Sequence, residues 1–213
     1  MDYVLTILPV LLKGLQLSLT IYGIVIILIF PLAILVAIGK VSGSQILKRI
    51  LSLYTWIWRG TPLLLQLFFI YFGLPHFGIK LSPMVSVVIA FVLNVGAYEA
   101  EIIRAGIESI DKGQYEAAKA LGMTYVQTMR RIIIPQTIRR VLPATCSEAL
   151  LTFKDTALVA AIGMGDLLRS AKEVVTTDFK ITAFFIAFII YLIVSSILVQ
   201  AFTKLEKKYS IYE

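Results

Sequence analysis

Residues Glu116 to Pro135 read EAAKALGMTYVQTMRRIIIP, a polar and basic island between two apolar segments. Each neighbouring segment approaches the roughly 20 residues that a bilayer core requires, so the class of the chain turns on whether its solvent is lipid or water. Of its 213 residues 59% are hydrophobic and 15% charged, and the mean hydropathy is +0.88. Soluble domains run at about 45–50% apolar and about 25% charged. The excess is more than a soluble core can hide, so the composition predicts an all-α integral membrane protein, read as a single domain over residues 1–213. A net charge of +7 would raise the question of nucleic acid in a soluble protein. Here it is read as charge asymmetry across a bilayer, with membrane lipid as the surrounding partner and no nucleic acid.

Five spans are expected. The first is Leu15 to Ile38, interrupted by Pro31; the second runs from about Ile50 to Leu74 and is broken at Arg59-Gly60-Thr61-Pro62. The third takes Met84 to about Arg104, the fourth about Val141 to Ile162, and the fifth Ile181 to Phe202, with a loop containing Asp166, Arg169 and Glu173 before it. Met1 to Pro9 lacks a basic stretch and a small-residue cleavage site, so the first span is expected to stay as an anchor. One set of loops and tails holds thirteen Lys and Arg, seven of them between Arg104 and Arg140; the opposite set holds six, with Arg59 inside span two. Basic residues collect on the cytoplasmic side. The N-terminus is therefore expected outside, and the island and C-terminus in the cytoplasm.

Within the island, Gln114 to Leu121 is rich in helix formers, Gly122 suits a left-handed helix end, and Thr124 suits the cap of a second helix. Pro135 is expected to stop that second helix. Tyr115, Ala118, Lys119 and Gly122 fall on one face at helical spacing. Such a helix fits a groove on a cytoplasmic partner, and it fits equally an amphipathic loop resting on anionic lipid.

A pattern in these residues separates the two readings. Glu116-Ala117-Ala118, then Gly122, then Ile132-Ile133-Ile134-Pro135 resembles the cytoplasmic loop signature of membrane subunits of binding-protein-dependent ABC importers, with Ile134 where the signature has Leu. Arg59-Gly60-Thr61-Pro62-Leu63-Leu64-Leu65-Gln66 and the stretch Asn94 to Ile107, NVGAYEAEIIRAGI, are similar to permeases for polar amino acids. The resemblance implies the type I importer fold and a coupling loop over residues 107–137. It assigns ATPase contact to Tyr115, Glu116, Ala117, Ala118, Lys119, Gly122 and Pro135. It also implies an ABC ATPase dimer, a second permease subunit that is identical or closely related, an extracytoplasmic amino-acid-binding protein, and a place in the cytoplasmic membrane of a prokaryote. The chain has no GxxxxGK[ST] loop; GMGD at Gly163 lacks the Lys and Ser/Thr, so no cofactor is expected in this chain, and ATP and Mg belong to the partner.

Polar residues at membrane depth are expensive and point inward. Asn94 lies on the order of 15 Å below the outer end of span three, with Gln66 and Glu148 at similar depth. Helical spacing places Asn94, Tyr98 and Glu101 on one face and Glu148, Thr152 and Asp155 on another. These six with Gln66 are the candidate pathway for a polar amino acid, basic ones among them, whose cation meets Glu148 or Asp155. The bland alternative pairs Glu99, Glu101 and Arg104 with one another and Lys154 with Asp155. Arg59 is read as snorkelling or satisfying freed carbonyls at the break rather than touching substrate, and Cys146 as a packing residue. An ion-coupled secondary transporter is the competing function, against which stands the lack of a repeated half. One Cys and one His leave little from which to build an enzyme.

Overall fold

A computed structural model of the chain describes residues 2–209, and all regular structure among them is helical. Helix α1 (Asp2–Ser42) is 41 residues long, about 60 Å at 1.5 Å per residue and twice the roughly 30 Å of a hydrocarbon core. It starts well before the expected Leu15 because its first part has its own neighbours: Ile7 and Leu11 are buried among Leu167, Ala171, Ala183 and Ala187. Helix α2 (Gln45–Gly60) is capped by Ser44. Helix α3 (Leu63–Phe68) continues through a π turn (Phe69–Gly73) and a 3₁₀ turn (Leu74–Phe77). The two arms meet at a bend of 102°, so the expected second span is two arms rather than one rod.

Helix α4 (Pro83–Glu108) is the centre of the bundle. Its Val87, Ala90, Phe91 and Val95 are buried against Ile21, Val25 and Ile29 of α1, Leu63 and Leu67 of α3, and Val159. The loop that follows contains helix α5 (Lys112–Ala120) and helix α6 (Tyr125–Thr128). A π turn (Met129–Ile133) then leads without a break into helix α7 (Ile134–Asp155) and a 3₁₀ segment (Thr156–Ile162). Pro135 therefore does not stop the second loop helix. It sits in the first turn of α7, where a missing N–H costs least, and the widened turn just before it bonds the Ile134 N–H to the Met129 carbonyl.

The expected loop before the last span is helix α8 (Leu167–Asp178). Asp166 caps it by accepting from the Leu168 and Arg169 N–H groups, both at 3.0 Å, and the buried Leu167, Ser170 and Ala171 face α1. Gly14 allows that approach, since a Cβ there would lie 2.5 Å from Ser170 Oγ. Helix α9 (Thr182–Tyr209) closes the bundle, with Phe179, Phe184, Phe185 and Phe188 exposed.

Among the described residues, α1, α4 and α9 are long and apolar enough to cross a membrane, and the bent α2–α3 pair qualifies as one broken span. Helix α7, which carries the expected fourth span, is not in that group. Arg139, Arg140, Glu148, Lys154 and Asp155 make it too polar on composition, and it begins at Ile134 rather than Val141.

Helices α4 and α7 touch where Gly106 faces Val141, and a Cβ on Gly106 would press into the Val141 side chain with Thr137 Cγ2 at 3.2 Å. Gly106→Leu is expected to lower the thermal midpoint in detergent, a loss of about 1–3 kcal/mol from overpacking. Gly23→Ala, where an added Cβ meets nothing within 4 Å, is expected to leave the midpoint unchanged or raise it.

Candidate functional site

The loop is held by local chemistry at every joint. Asp111 accepts from the Gly113 N–H at 2.7 Å and starts α5. Gly122 has φ +71°, its N–H reaches the Lys119 carbonyl and the Met123 N–H the Ala118 carbonyl, each at 3.0 Å. That paired arrangement is the glycine-dependent helix stop. Thr124 and Gln127 form a reciprocal cap on α6. Tyr115 packs on Ile107, Ile110 and Ile133, and burial pushes its phenol above the ordinary value. The loop is fastened to the bundle by Ser42 and Tyr125, whose hydroxyls lie 2.5 Å apart, and by Arg140, which donates to the Ser109 carbonyl and to Ser109 Oγ.

This fastening sorts the residues assigned to partner contact. Ala118 is 1% exposed and Tyr115 is half-buried, so both face the chain's own core. Glu116, Ala117, Lys119 and Gly122 are exposed, as is Pro135 on the rod beyond. Of the two alanines assigned to that contact, Ala117 is the one open to a partner backbone. Sequence reasoning missed the apolar part of the same surface, Leu121 at 79% and Val126 at 71% exposure. Both are large apolar residues close to a glycine stop, the signal by which the sequence could have shown them.

At the bend between α2 and α3 the candidate pathway residues have other duties. Pro62 has no N–H, so the Trp58 carbonyl loses its helical donor. Asn94 Nδ2 donates to it at 2.8 Å and Gln66 Nε2 at 2.9 Å. Gln66 also donates to the Thr61 carbonyl at 3.0 Å and to Thr61 Oγ1 at 2.7 Å, while its Oε1 accepts from Asn94 at 2.9 Å. Tyr98 donates to the Arg59 carbonyl at 3.1 Å, with the Arg59 guanidinium 5.2 Å from its ring centroid. Gln66, Asn94 and Tyr98 thus converge, but on the backbone of the bend. Satisfying those carbonyls, one of the two roles read for Arg59, belongs to these three side chains.

Glu101 is likewise engaged. It accepts from Lys40, from Arg104 Nε at 2.8 Å and from Thr55 Oγ1 at 2.8 Å, and Arg59 Nη1 lies 4.0 Å away. This knot joins α1, α2 and α4, and the pairing of Glu101 with Arg104 follows the bland alternative. Glu99 departs from that alternative: it is buried and accepts from Thr145 Oγ1 of α7 at 2.6 Å. Neither Lys40 nor Thr145 is near these acids in sequence, so no spacing announced them.

On α7, Thr152 is fully buried and donates to the Glu148 carbonyl at 2.8 Å. Glu148 and Asp155 are half-buried. Among the described residues neither carboxylate makes a hydrogen bond or close ion pair; Glu99, Asp155 and Arg59 act on Glu148 through space, and Lys154 on Asp155. They are the two acids of the bundle interior left open to a cation.

A helical membrane bundle with a rigidly capped polar loop, a proline bend clamped at depth and two open acids has the build of a transport-system membrane subunit. Residues 29–210 match the family model described as the binding-protein-dependent transport system inner membrane component, and the chain belongs to that family. The arginine transport system permease protein ArtQ of Bacillus subtilis is 38% identical over 202 residues, 94% of this chain and 92% of that one. The L-cystine transport system permease protein TcyB of the same organism is 44% identical over 143 residues, 67% of this chain and 61% of that one. A solved amino acid ABC transporter with histidines superposes with a TM-score of 0.91 at 34% identity, over 97% of each chain.

The clamp at the bend is testable. Asn94→Leu leaves Gln66 Oε1 without its donor and halves the donors at Trp58, and is expected to cost about 1–3 kcal/mol, read as a lower thermal midpoint in detergent. Tyr98→Phe, which removes one bond to a carbonyl, is expected to cost about 1 kcal/mol.

Proposed function

We propose that the chain is the membrane subunit of an ATP-driven importer that moves polar amino acids, basic ones included, into the cell. In this reading it works as a pair of identical or related permease subunits, with an ATPase dimer at the loop and an external binding protein that delivers substrate. ATP and Mg are held by the ATPase, and the chain itself is not an enzyme. The membrane is the cytoplasmic membrane of a prokaryote. It is crossed five times, by α1, the bent α2–α3 pair, α4, α7 with its 3₁₀ extension, and α9, with the N-terminus outside and the C-terminus inside. The polarity of α7 is compatible with this path because Arg139 and Arg140 lie towards its cytoplasmic start, Glu148 and Asp155 are half-buried in the bundle, and the exposed Lys154 lies in its last turn.

The observation that carries the proposal is the unbroken helical rod from Tyr125 through the π turn to Asp155. One end bears the exposed Val126 and joins, through the Gly122 turn, the exposed α5 surface of Glu116, Ala117, Lys119 and Leu121; the other bears Glu148 and Asp155. Force applied at α5 by ATPase closure crosses the Gly122 turn and then travels along one helical piece to the acids. The names of the relatives, an arginine permease and a cystine permease, and the histidines of the solved transporter support an amino-acid cargo. The two open carboxylates favour a cationic one. An ion-coupled secondary transporter has no use for a capped loop of this build.

Uptake into vesicles containing the assembled complex is expected to need ATP and the binding protein and to survive collapse of ion gradients; uptake by this chain alone would overturn the proposal. Gly122→Val forces a β-branched residue into a left-handed conformation, a cost of about 1–2 kcal/mol or more. It is expected to abolish stimulation of ATP hydrolysis by loaded binding protein while membrane insertion persists. Glu148→Gln is expected to weaken binding of arginine to the complex about tenfold, as loss of a charge-assisted bond implies, and to leave a neutral amino acid unaffected. Unchanged arginine affinity would remove the electrostatic role of Glu148.

A further inference from the structure

A zwitterionic cargo brings charges of both signs into the membrane, and Glu148 and Asp155 answer only the positive one. The carboxylate of an α-amino acid loses its hydration at membrane depth unless donors replace the water. The polar donors gathered around α4 and α7 are spent in holding the bundle. Asn94, Gln66 and Tyr98 serve the backbone of the bend. Lys40 and Arg104 serve Glu101, Thr145 serves Glu99, and Thr152 serves the Glu148 carbonyl. Lys154 lies on the side of α7 that meets Phe188, Tyr191 and Leu192 of α9.

Arg59 is the exception. Among the described residues its guanidinium makes no hydrogen bond; it lies 5.2 Å from the Tyr98 ring centroid, and Glu101, 4.0 Å away, already accepts from three other donors. The ring holds the cation by its face and leaves the N–H fork free. The Arg59 side chain is 43% exposed, and at the depth of the bend hydrocarbon could not solvate it, so it opens on a polar or aqueous space. Glu148 borders the same space. Helices α4 and α7 meet where Gly106 faces Val141 and where Glu99 accepts from Thr145. One turn beyond Thr145 stands Glu148, and beside Glu99 stands Tyr98, which carries the guanidinium. The charge of Arg59 reaches Glu148 through space, yet no hydrogen bond or close ion pair joins them. A free donor fork and a free carboxylate thus stand apart across one opening.

We infer that Arg59 is the carboxylate receptor of the substrate path, its guanidinium taking the α-carboxylate of an amino acid while Glu148 takes the cation of a basic side chain. The inference rests on the amino-acid cargo proposed above and adds a residue that the sequence reading kept away from substrate. A guanidinium meets a carboxylate through two parallel bonds, which fixes orientation as well as charge. Every α-amino acid has that carboxylate, so Arg59 serves neutral and basic cargo alike, whereas Glu148 serves the basic ones. The bend needs the backbone of Arg59 and not its side chain: the Trp58, Arg59 and Thr61 carbonyls are satisfied by Asn94, Tyr98 and Gln66.

The test uses the permease assembled with its ATPase in lipid nanodiscs, without binding protein, so that the membrane subunit is the amino-acid receptor. Arginine, histidine, cystine and glutamine are each titrated beside the amine that lacks the carboxylate: agmatine, histamine, cystamine and 4-aminobutanamide. Wild type is expected to bind its tightest amino acid about tenfold or more above the matching amine, as a charge-assisted bond implies. Arg59→Gln is expected to bring that ratio towards one, for a neutral amino acid as for a basic one. Glu148→Gln is expected to keep the ratio while lowering affinity for basic cargo alone. Arg59→Lys keeps the charge without the fork and is expected to hold an intermediate ratio; it carries the test if the Gln variant does not assemble. A wild-type ratio near one, or a ratio that survives unchanged in Arg59→Gln or, in its place, Arg59→Lys, would overturn the inference and leave the cargo reading standing, since amino acids would still bind. Wild type that binds none of the amino acids would overturn that reading, and the inference with it.

Discussion

A peptide carbonyl in hydrocarbon has no water to turn to, and Pro62 creates one at Trp58. The bundle resolves this with side chains from elsewhere: Asn94 from α4 and Gln66 from α3 both reach the same oxygen. Their reach fixes the 102° bend against the most buried helix of the protein, and Tyr98 secures the next carbonyl along. Without those donors a broken helix at this depth would cost several kcal/mol per exposed group. The break thus dictates what α4 must carry, and α4 in turn sets where α1 and α7 pack.

The acids of the interior divide by the same logic. Glu101 is surrounded by Lys40, Arg104 and Thr55, and Glu99 by Thr145. Each joins helices distant in sequence, and each is saturated in doing so. Glu148 and Asp155 lie on the helix that continues out of the loop, half-buried and without such partners. A charge held that way in a low-dielectric setting gains most from an incoming counter-charge. Saturated acids hold the bundle together, whereas unsaturated ones are available for work.

Much of this was legible in the chain. The glycine stop at Gly122, the cap at Thr124 and the break at Pro62 are local signals with local causes, and each stands where the residues indicate. Helix α8 was read as a loop, because its charged residues disguised the spacing of Leu167, Ser170 and Ala171 that follows the cap at Asp166. Pro135 misled because a proline marks a boundary only when the turn before it keeps α geometry; here a π turn intervenes. Gln66, Asn94 and Tyr98 were read as inward polar residues; Gln66 and Asn94 are buried and Tyr98 is half-buried. Their partners are backbone atoms on another helix, and no periodicity reveals a partner that is distant in sequence. Ala118 was assigned outward for the same reason, since helical spacing defines a face but not the direction it turns.

From Tyr125 to Asp155 the chain is one helical piece of about 46 Å, pivoting beside a glycine whose φ is +71°. Mechanically it is a lever arm. A tilt of about 10° at the loop end would sweep the far end through about 8 Å, a distance comparable to the width of an amino acid, whereas the loop itself would shift far less. Two soft places lie along the arm: the wide turn Met129–Ile133 close to the pivot, where bending wastes the most displacement, and Pro143, which brings no N–H to the helix ladder. Stiffness at these two places would set how much of a push at the loop arrives at Glu148.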